Sequence, residues 1–521
     1  MTPIDADVLV VGGGPAGAWA ALAAAYRGAS VVLVDKARCG ASGPSAHGTV
    51  AFWNIPPGTQ RAEQVRRTLT GGGALGDPEW IDRVLGETHR RVRDLMLAGY
   101  RFLPELSDAA PRVQLDGARY LTRLRRCLAA AGVRILDHHP ALQLLIDADG
   151  VVTGAGGVRT RSPHESWTIR AGAVVVATGG CAFRSGAAGT DVDTGDGLLM
   201  AAEVGGELSG MEFSCAYTLI PGDRMAVRQV GPAPVPSLGP AVTVYDESGA
   251  AVDDQGPAGR AAVMRALADG RRIYAVLAEL PEPVRRTAAR FALADGRVPL
   301  RAQLDGTVRG TGGVRIVGFD CATTAPGLFA AGDVTSREAV RGASGGLGGH
   351  DGAWSLSSGV WAGAGAAEFA RGRDTLGRAR PAVPGAGLGP GGGIDPRAVV
   401  GLVQEHTLPL RRSYLRSAGS LCDSIAELDG LWPATQWDLG GQGAARVRAR
   451  EAAALLAVAR WTKHSALARP ETRGMHRRTD HPGPDRDYEL RLLSGGLDQV
   501  WVRPDGPDAD SSQRPADLTA V

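Results

Sequence analysis

Gly12, Gly14 and Gly17 form a GxGxxG spacing interleaved with Pro15 and Ala16, and an acid, Asp35, follows with Lys36 beside it. Glycines so spaced let a backbone turn tightly and approach a pyrophosphate, while the acid accepts hydrogen bonds from ribose hydroxyls. The chemistry this predicts is dinucleotide binding. It requires the glycines to sit between a strand and a helix, and the chain supplies both. Val8–Val11 is a short apolar run suited to a buried parallel strand, and Ala18–Tyr26 is an alanine-rich helical stretch stopped by Arg27 and Gly28. Ala29–Val34 is a second apolar strand that ends at the acid. A helix starting at the glycines offers its unpaired N–H donors and the positive end of its dipole to the phosphates.

Further small-residue segments lie downstream. The loop 38–50 contains Ser42 and Gly43, the apolar run Ala171–Val176 ends in Ala177-Thr178-Gly179-Gly180, Thr194-Gly195-Asp196-Gly197 follows, and Gly327 leads through Leu328 to Gly332-Asp333. With the N-terminal unit, these segments resemble the FAD-binding flavoproteins of the fumarate reductase and succinate dehydrogenase family, which includes L-aspartate oxidase and adenylylsulfate reductase. The resemblance implies that Ser42 lies along the FAD, that Ala177, Thr178 and Gly179 flank its adenosine side, and that Asp333 bonds its ribityl chain. It extends through Asp196 to Met211-Glu212-Phe213, and places Ser355, Leu356, Ser357 and Ser358 in the loop facing the isoalloxazine. Backbone amides at a helix start would there face the flavin pyrimidine, and the serines can cap the same helix. Ala468–Pro482 resembles the family's ESRGxHxRxDxP signature.

The fold class implied is α/β: a Rossmann-type FAD-binding domain with an inserted α+β capping domain and a C-terminal helical domain. Its segments are 1–212 and 305–375 for the FAD domain and 213–304 for the capping domain over the flavin's substrate side. A Pro/Gly linker, 381–395, leads to helices over 396–480, and a polar tail, 503–521, is expected to be disordered. The arginines along 444–456 read as a solvated helix face.

The chain departs from the family where substrate is handled. Members acting on fumarate or succinate place a histidine after the MEF segment, an arginine proton donor in the capping domain, and a final HGANR motif. Here Tyr217 stands at the first position and residues 237–240 hold no arginine, while the third reads His350-Asp351-Gly352-Ala353-Trp354. Fumarate reduction and succinate oxidation are therefore disfavoured. The catalytic candidates are His350, whose imidazole suits proton transfer near neutrality, Tyr217, and Arg341 in a loop shared with Arg337 and Glu338. Gly43 stands where the family's covalent flavin link would be, with His47 four residues on, so non-covalent FAD is expected. His138 and His139 read as a surface pair.

Composition narrows the partners. With 57 basic and 55 acidic residues the net charge is +2, which gives no strong field toward nucleic acid or anionic lipid. Lys36 and Lys463 are the sole lysines, a skew that fits a GC-rich genome, so a lone arginine carries little information. The 74 glycines are about twice the usual share of roughly 7%, partly for the same reason. Cys39, Cys127, Cys181, Cys215, Cys321 and Cys422 form no CxxC or Cys/His cluster, so no metal centre is expected. A start without a basic leader, and no uncharged apolar run of roughly 18 residues, point to a cytoplasmic protein without a membrane span. A single complete fingerprint means the flavin exchanges electrons with dioxygen, a diffusible carrier or a separate protein; an oligomer is open. The function predicted is an FAD-dependent dehydrogenase or oxidase moving hydride between flavin N5 and a small amino- or carboxylate-bearing metabolite. A flavin monooxygenase and an FAD-carrying electron-transfer subunit are the alternatives.

Overall fold

The computed structural model describes residues 4–103, 112–161, 164–222, 238, 242–252, 261–345, 349–373 and 377–506. Its N-terminus is a βαβ unit: β1 (Ile4–Val11), α1 (Pro15–Ala25) and β2 (Val31–Val34), with the strands parallel from Val8↔Val31 to Val11↔Val34. Both apolar runs are buried on each face, as strands of a covered parallel sheet are. Pro15 opens α1 where its missing N–H leaves no bond unmade.

Ser166–Val176 lies parallel to β1 on the side away from β2, and its C-terminal half carries Leu328–Ala330, also parallel. Its N-terminal half pairs antiparallel with Val152–Val158, and Ala141–Ile146 and Arg380–Pro381 extend this eight-stranded sheet. The registers Val11↔Val34, Val11↔Val176 and Ala330↔Val176 bring four strand ends to one edge. The loops after those ends are the glycine-rich segments singled out from the sequence, which are thereby gathered at the crevice where such sheets bind ligands.

A three-stranded antiparallel sheet of Ala216–Pro221, Arg297–Gly306 and Ile273–Val276, reaching two residues past the expected capping segment, has its own core of Leu219, Val263, Met264, Ile273, Val298 and Leu300. Ser237, Gly239 and Pro240, part of the segment lacking a proton-donor arginine, lie outside the described residues.

The C-terminal helices Pro396–Thr407, Ala418–Trp437 and Ala444–Leu467 pack together. The last of them is sunk into the main core, and its Leu455, Leu456 and Val458 share a cluster with Val11 and Val176. The solvated arginine face is therefore corrected at Arg450. That side chain is fully buried, and its Nη1 donates to Glu203 Oε1 at 2.7 Å and to the Ala386 carbonyl at 2.7 Å; Arg448 is exposed. Ala386 lies in the expected linker, yet it is buried and its N–H donates to Glu203, so the stretch is packed at 385–387 and elsewhere exposed or half-buried. The strand Trp501–Pro504 pairs with Leu492–Gly495 and enters the expected tail, whose residues beyond 506 are outside the described ones.

The C-terminal signature folds into a buried ion network. Arg469 donates to Glu212 Oε1 and to Glu471 Oε1, each at 2.8 Å, and Arg473 donates to Glu471 Oε1 at 2.7 Å. His476 completes it with Nε2 at 2.9 Å from the Arg469 carbonyl. These bonds tie the Met211–Phe213 turn to the C-terminal segment. No helix among the described residues is long and apolar enough to cross a membrane.

Candidate functional site

At the shared edge of the parallel strands lies a cavity with about 860 Å³ of free space. The loop after β1 brings Gly12, Gly14, Pro15 and Ala16 to its wall, and the loop after β2 brings Asp35, Lys36, Ser42 and Gly43. Ala177, Thr178, Gly179 and Asp196 face them, and Gly332, Asp333 and Ser355 close the far end. The structure thus gathers most of the cofactor residues expected from sequence. Gly17 stays behind the wall, where an added Cβ would stand 1.9 Å from the Gly12 carbonyl oxygen. Gly12 itself has φ +108°, and a Cβ there would stand 2.3 Å from the Ala177 oxygen, so neither position admits a side chain.

Leu356 and Ser357, expected beside the isoalloxazine through backbone amides, turn their side chains away from the cavity. The helix His350–Arg371 turns about 100° per residue, so with Ser355 at the wall its neighbours point into the core. Leu356 is buried there and Ser357 Oγ lies 3.2 Å from Thr88 Oγ1. Ser358 acts indirectly, its Oγ accepting the Gly332 N–H at 3.0 Å.

The wall's polar groups are held in place from behind. Asp35 accepts the Gly13 and Ala37 N–H groups, each at 2.7 Å, and burial raises its pKa. Lys36 gives its three donors to Thr194 (2.8 Å), Asp196 (2.6 Å) and Glu451 (3.0 Å). Burial opposes its charge, but the two carboxylates outweigh burial and hold it above the usual lysine range. Thr178 Oγ1 and Asp193 Oδ2 are buried at this wall with no protein partner. Phosphates and hydroxyls of a dinucleotide are the groups such atoms need, and the glycine cradle leaves room for a pyrophosphate, so the residues fit FAD. Sequence reasoning missed Gly13, Asp193 and His139. His139, expected on the surface, lines the cavity with Nδ1 2.6 Å from the Asp137 carbonyl.

A larger and more open cleft, with about 2040 Å³ of free space, runs along the three-stranded sheet. Tyr217 lines it, but its hydroxyl donates to the Leu408 carbonyl at 2.9 Å, with the Thr407 carbonyl at 3.2 Å, and burial raises its pKa. It is a wall group. Arg473, also there, is committed to Glu471. Arg309 differs: its side chain is 37% exposed and its Nε lies a loose 3.4 Å from Asp305 Oδ2. Burial pushes Asp305 up to about 6 against the pull of Arg309.

His350 and Arg341, expected to be catalytic, line neither cavity. The His350 ring packs on Trp53 with centroids 4.2 Å apart. Burial and then the Arg341 guanidinium lower it to about 4, so it is neutral near pH 7. Arg341 is buried against the Asp351 carboxylate and donates to the Arg309 carbonyl at 3.0 Å. Its neighbour Arg337, wholly buried, bonds Asp333 Oδ1 at 2.5 Å and the carbonyls of Thr307, Val308 and Gly310. Arg337 therefore couples Asp333, at the cofactor cavity, to the strip that presents Arg309 to the cleft.

Comparison with known proteins agrees with this geometry. Residues 7–256 match the FAD binding domain family, and residues 422–494 match the fumarate reductase flavoprotein C-terminal family. L-aspartate oxidase of Streptomyces coelicolor is 29% identical over 93% of this chain and 90% of that protein. L-aspartate oxidase of Halobacterium salinarum is 33% identical, but over 40% of this chain and 44% of that protein, less than half its length. A mutant E. coli quinol fumarate reductase FrdA superposes with a TM-score of 0.79 at 21% identity, covering 99% of each chain. Adenylylsulfate reductase of Archaeoglobus fulgidus superposes with 0.74 at 18% identity, covering 96% of this chain and 95% of that one. These two structures show the fold. Residues 7–256 thus belong to the FAD binding domain family and residues 422–494 to the fumarate reductase flavoprotein C-terminal family, and the chain is an FAD-dependent oxidoreductase.

Proposed function

We propose that this chain is a dehydrogenase or oxidase that removes hydride from a small amino- or carboxylate-bearing metabolite seated in the cleft at Asp305 and Arg309. The observation that carries this reading is the looseness of that pair. At 3.4 Å the pair is loose: the guanidinium is partly exposed and Asp305 Oδ2 is buried without a hydrogen-bond partner, so neither charge is fully satisfied by the other. Bound FAD supplies the two-electron acceptor at its N5.

The chain's own residues bind, orient and move a proton. Arg309 takes a carboxylate, as guanidinium geometry favours. An ammonium group must lose one N–H proton before hydride leaves the adjacent carbon, and the Asp305 carboxylate receives it; a pKa of about 6 suits that task near neutrality. Tyr217 and the three-stranded sheet wall the cleft. Arg341 and Arg337 position the 307–310 strip, and His350 buttresses Trp53. We hold the FAD to be non-covalent, because Gly43 offers no side chain and His47 is exposed with Nδ1 2.9 Å from the Gly43 carbonyl.

Ligand perturbation of the flavin's visible spectrum tests the site. Titration with amino acids and organic acids should give a saturable shift that Arg309→Gln weakens by about tenfold or more. Equal affinity in the variant would place the substrate elsewhere.

A further inference from the structure

Asp193 lies between the turn Thr190–Val192 and the helix Asp196–Glu203, lines the cofactor cavity, and is 3% exposed. Its Oδ2 is buried without a partner in the protein. Its other oxygen is seated against the segment after Val176: a Cβ on Gly179, whose φ is +77°, would stand 2.3 Å from Asp193 Oδ1. Glycine at 179 is what leaves room for this carboxyl at the wall.

The surrounding charges do not neutralise it. Asp333, beyond Leu328–Ala330, Asp196 on the following helix and Asp191 on the preceding turn all face it with the same sign. The Cys181 thiol is a further neighbour. Lys36 is the cation on this side, and its three donors are spent on Thr194, Asp196 and Glu451. Arg337 serves Asp333. An ionised carboxyl buried among like charges without a dedicated partner is costly, and the group keeps its proton instead. Burial first, and Asp333 second, hold the Asp193 pKa well above the ordinary carboxylate range.

We propose that Asp193 is a cofactor-binding residue whose carboxyl holds a proton and donates it in a hydrogen bond to an acceptor oxygen of FAD's pyrophosphate–ribityl portion. No covalent change is involved. The orphaned atom gains its partner when FAD binds, and a phosphate or hydroxyl oxygen gains a donor that does not add charge. A direct consequence is linkage: the protonated form binds FAD, so raising the pH until the empty site loses this proton weakens binding and adds repulsion toward the pyrophosphate. The inference rests on FAD being the bound group. Protein purified without any flavin would remove that reading, whereas flavin bound with unaltered affinity in Asp193→Ala would overturn only the role of Asp193.

The test uses full-length holoenzyme, with dissociation of FAD read from the fluorescence of the released flavin between about pH 6 and pH 9. Wild-type affinity should fall with rising pH, by up to about tenfold per unit. Asp193→Asn keeps a donor that does not titrate, so it should bind FAD within a few-fold of wild type at the low end and show a flat profile. Asp193→Ala should bind about tenfold or more weakly throughout. Wild-type affinity in Asp193→Ala, or a wild-type pH slope in Asp193→Asn, overturns the proposal. Infrared spectra of the holoenzyme supply a readout independent of release and of the alanine variant's folding. The C=O stretch of a protonated carboxyl should be present in wild type and missing in Asp193→Asn, and identical spectra would also overturn it.

Discussion

Asp305 and Arg309 set the pH behaviour of the cleft. Because burial raises Asp305 to about 6, the carboxylate that accepts a proton is depleted below that pH and fully present above it. kcat/KM for an amino-bearing substrate should therefore rise about tenfold per pH unit below 6 and level off above, and Asp305→Asn should abolish the step. A profile unchanged in the variant would remove Asp305 from proton transfer. Gly17→Ala should yield protein with about a tenth or less of the wild-type flavin content, because its Cβ would overlap the Gly12 carbonyl; absorbance of purified protein reads this directly. Gly12, Asp35, Thr178 and Asp333, singled out from the sequence by spacing or by family resemblance, all line the cofactor cavity. His350 and Arg341 line neither cavity, because their directions are set by Trp53 and Asp351, contacts that no local pattern records. Arg309 was hidden among 57 basic residues, and Asp193 belongs to none of the motifs singled out from the sequence.

The helix Ala444–Leu467 anchors the C-terminal segment to the FAD-binding body through Arg450 and Glu203, both buried. Removing one partner leaves the other charged and unpaired. Arg450→Ala should cost about 3–5 kcal/mol of stability, seen as a lowered Tm, while Arg450→Met combined with Glu203→Gln should recover most of it. Equal losses in the single and double variants would mean that packing, not the ion pair, dominates. The existence of this helix was readable from periodicity, but its exposure was not. A helix covered on nearly all sides has arginines whose partners, Glu203 and Asp429, come from elements distant in the chain.

At the scale of the molecule, the cofactor cavity is assembled from four loops that meet only once the parallel sheet has formed, and the cleft from strands and turns as far apart as Tyr217, Arg309 and Met475. The first was legible because each loop carries its own glycine signature. The second was not, since no local spacing marks residues that converge from separate segments. A ligand held by loops from across the sheet stabilises the whole fold: FAD at about a hundredfold over its Kd should add about 2.7 kcal/mol, and flavin-free protein should melt at a correspondingly lower temperature that added FAD restores. Anaerobic mixing of the flavin-loaded protein with amino acids and organic acids, followed by absorbance, tests the central claim most directly. One such metabolite alone should bleach the oxidised flavin. A flavin that stays oxidised against all of them, and is reduced only by a partner protein, would contradict hydride transfer in this cleft.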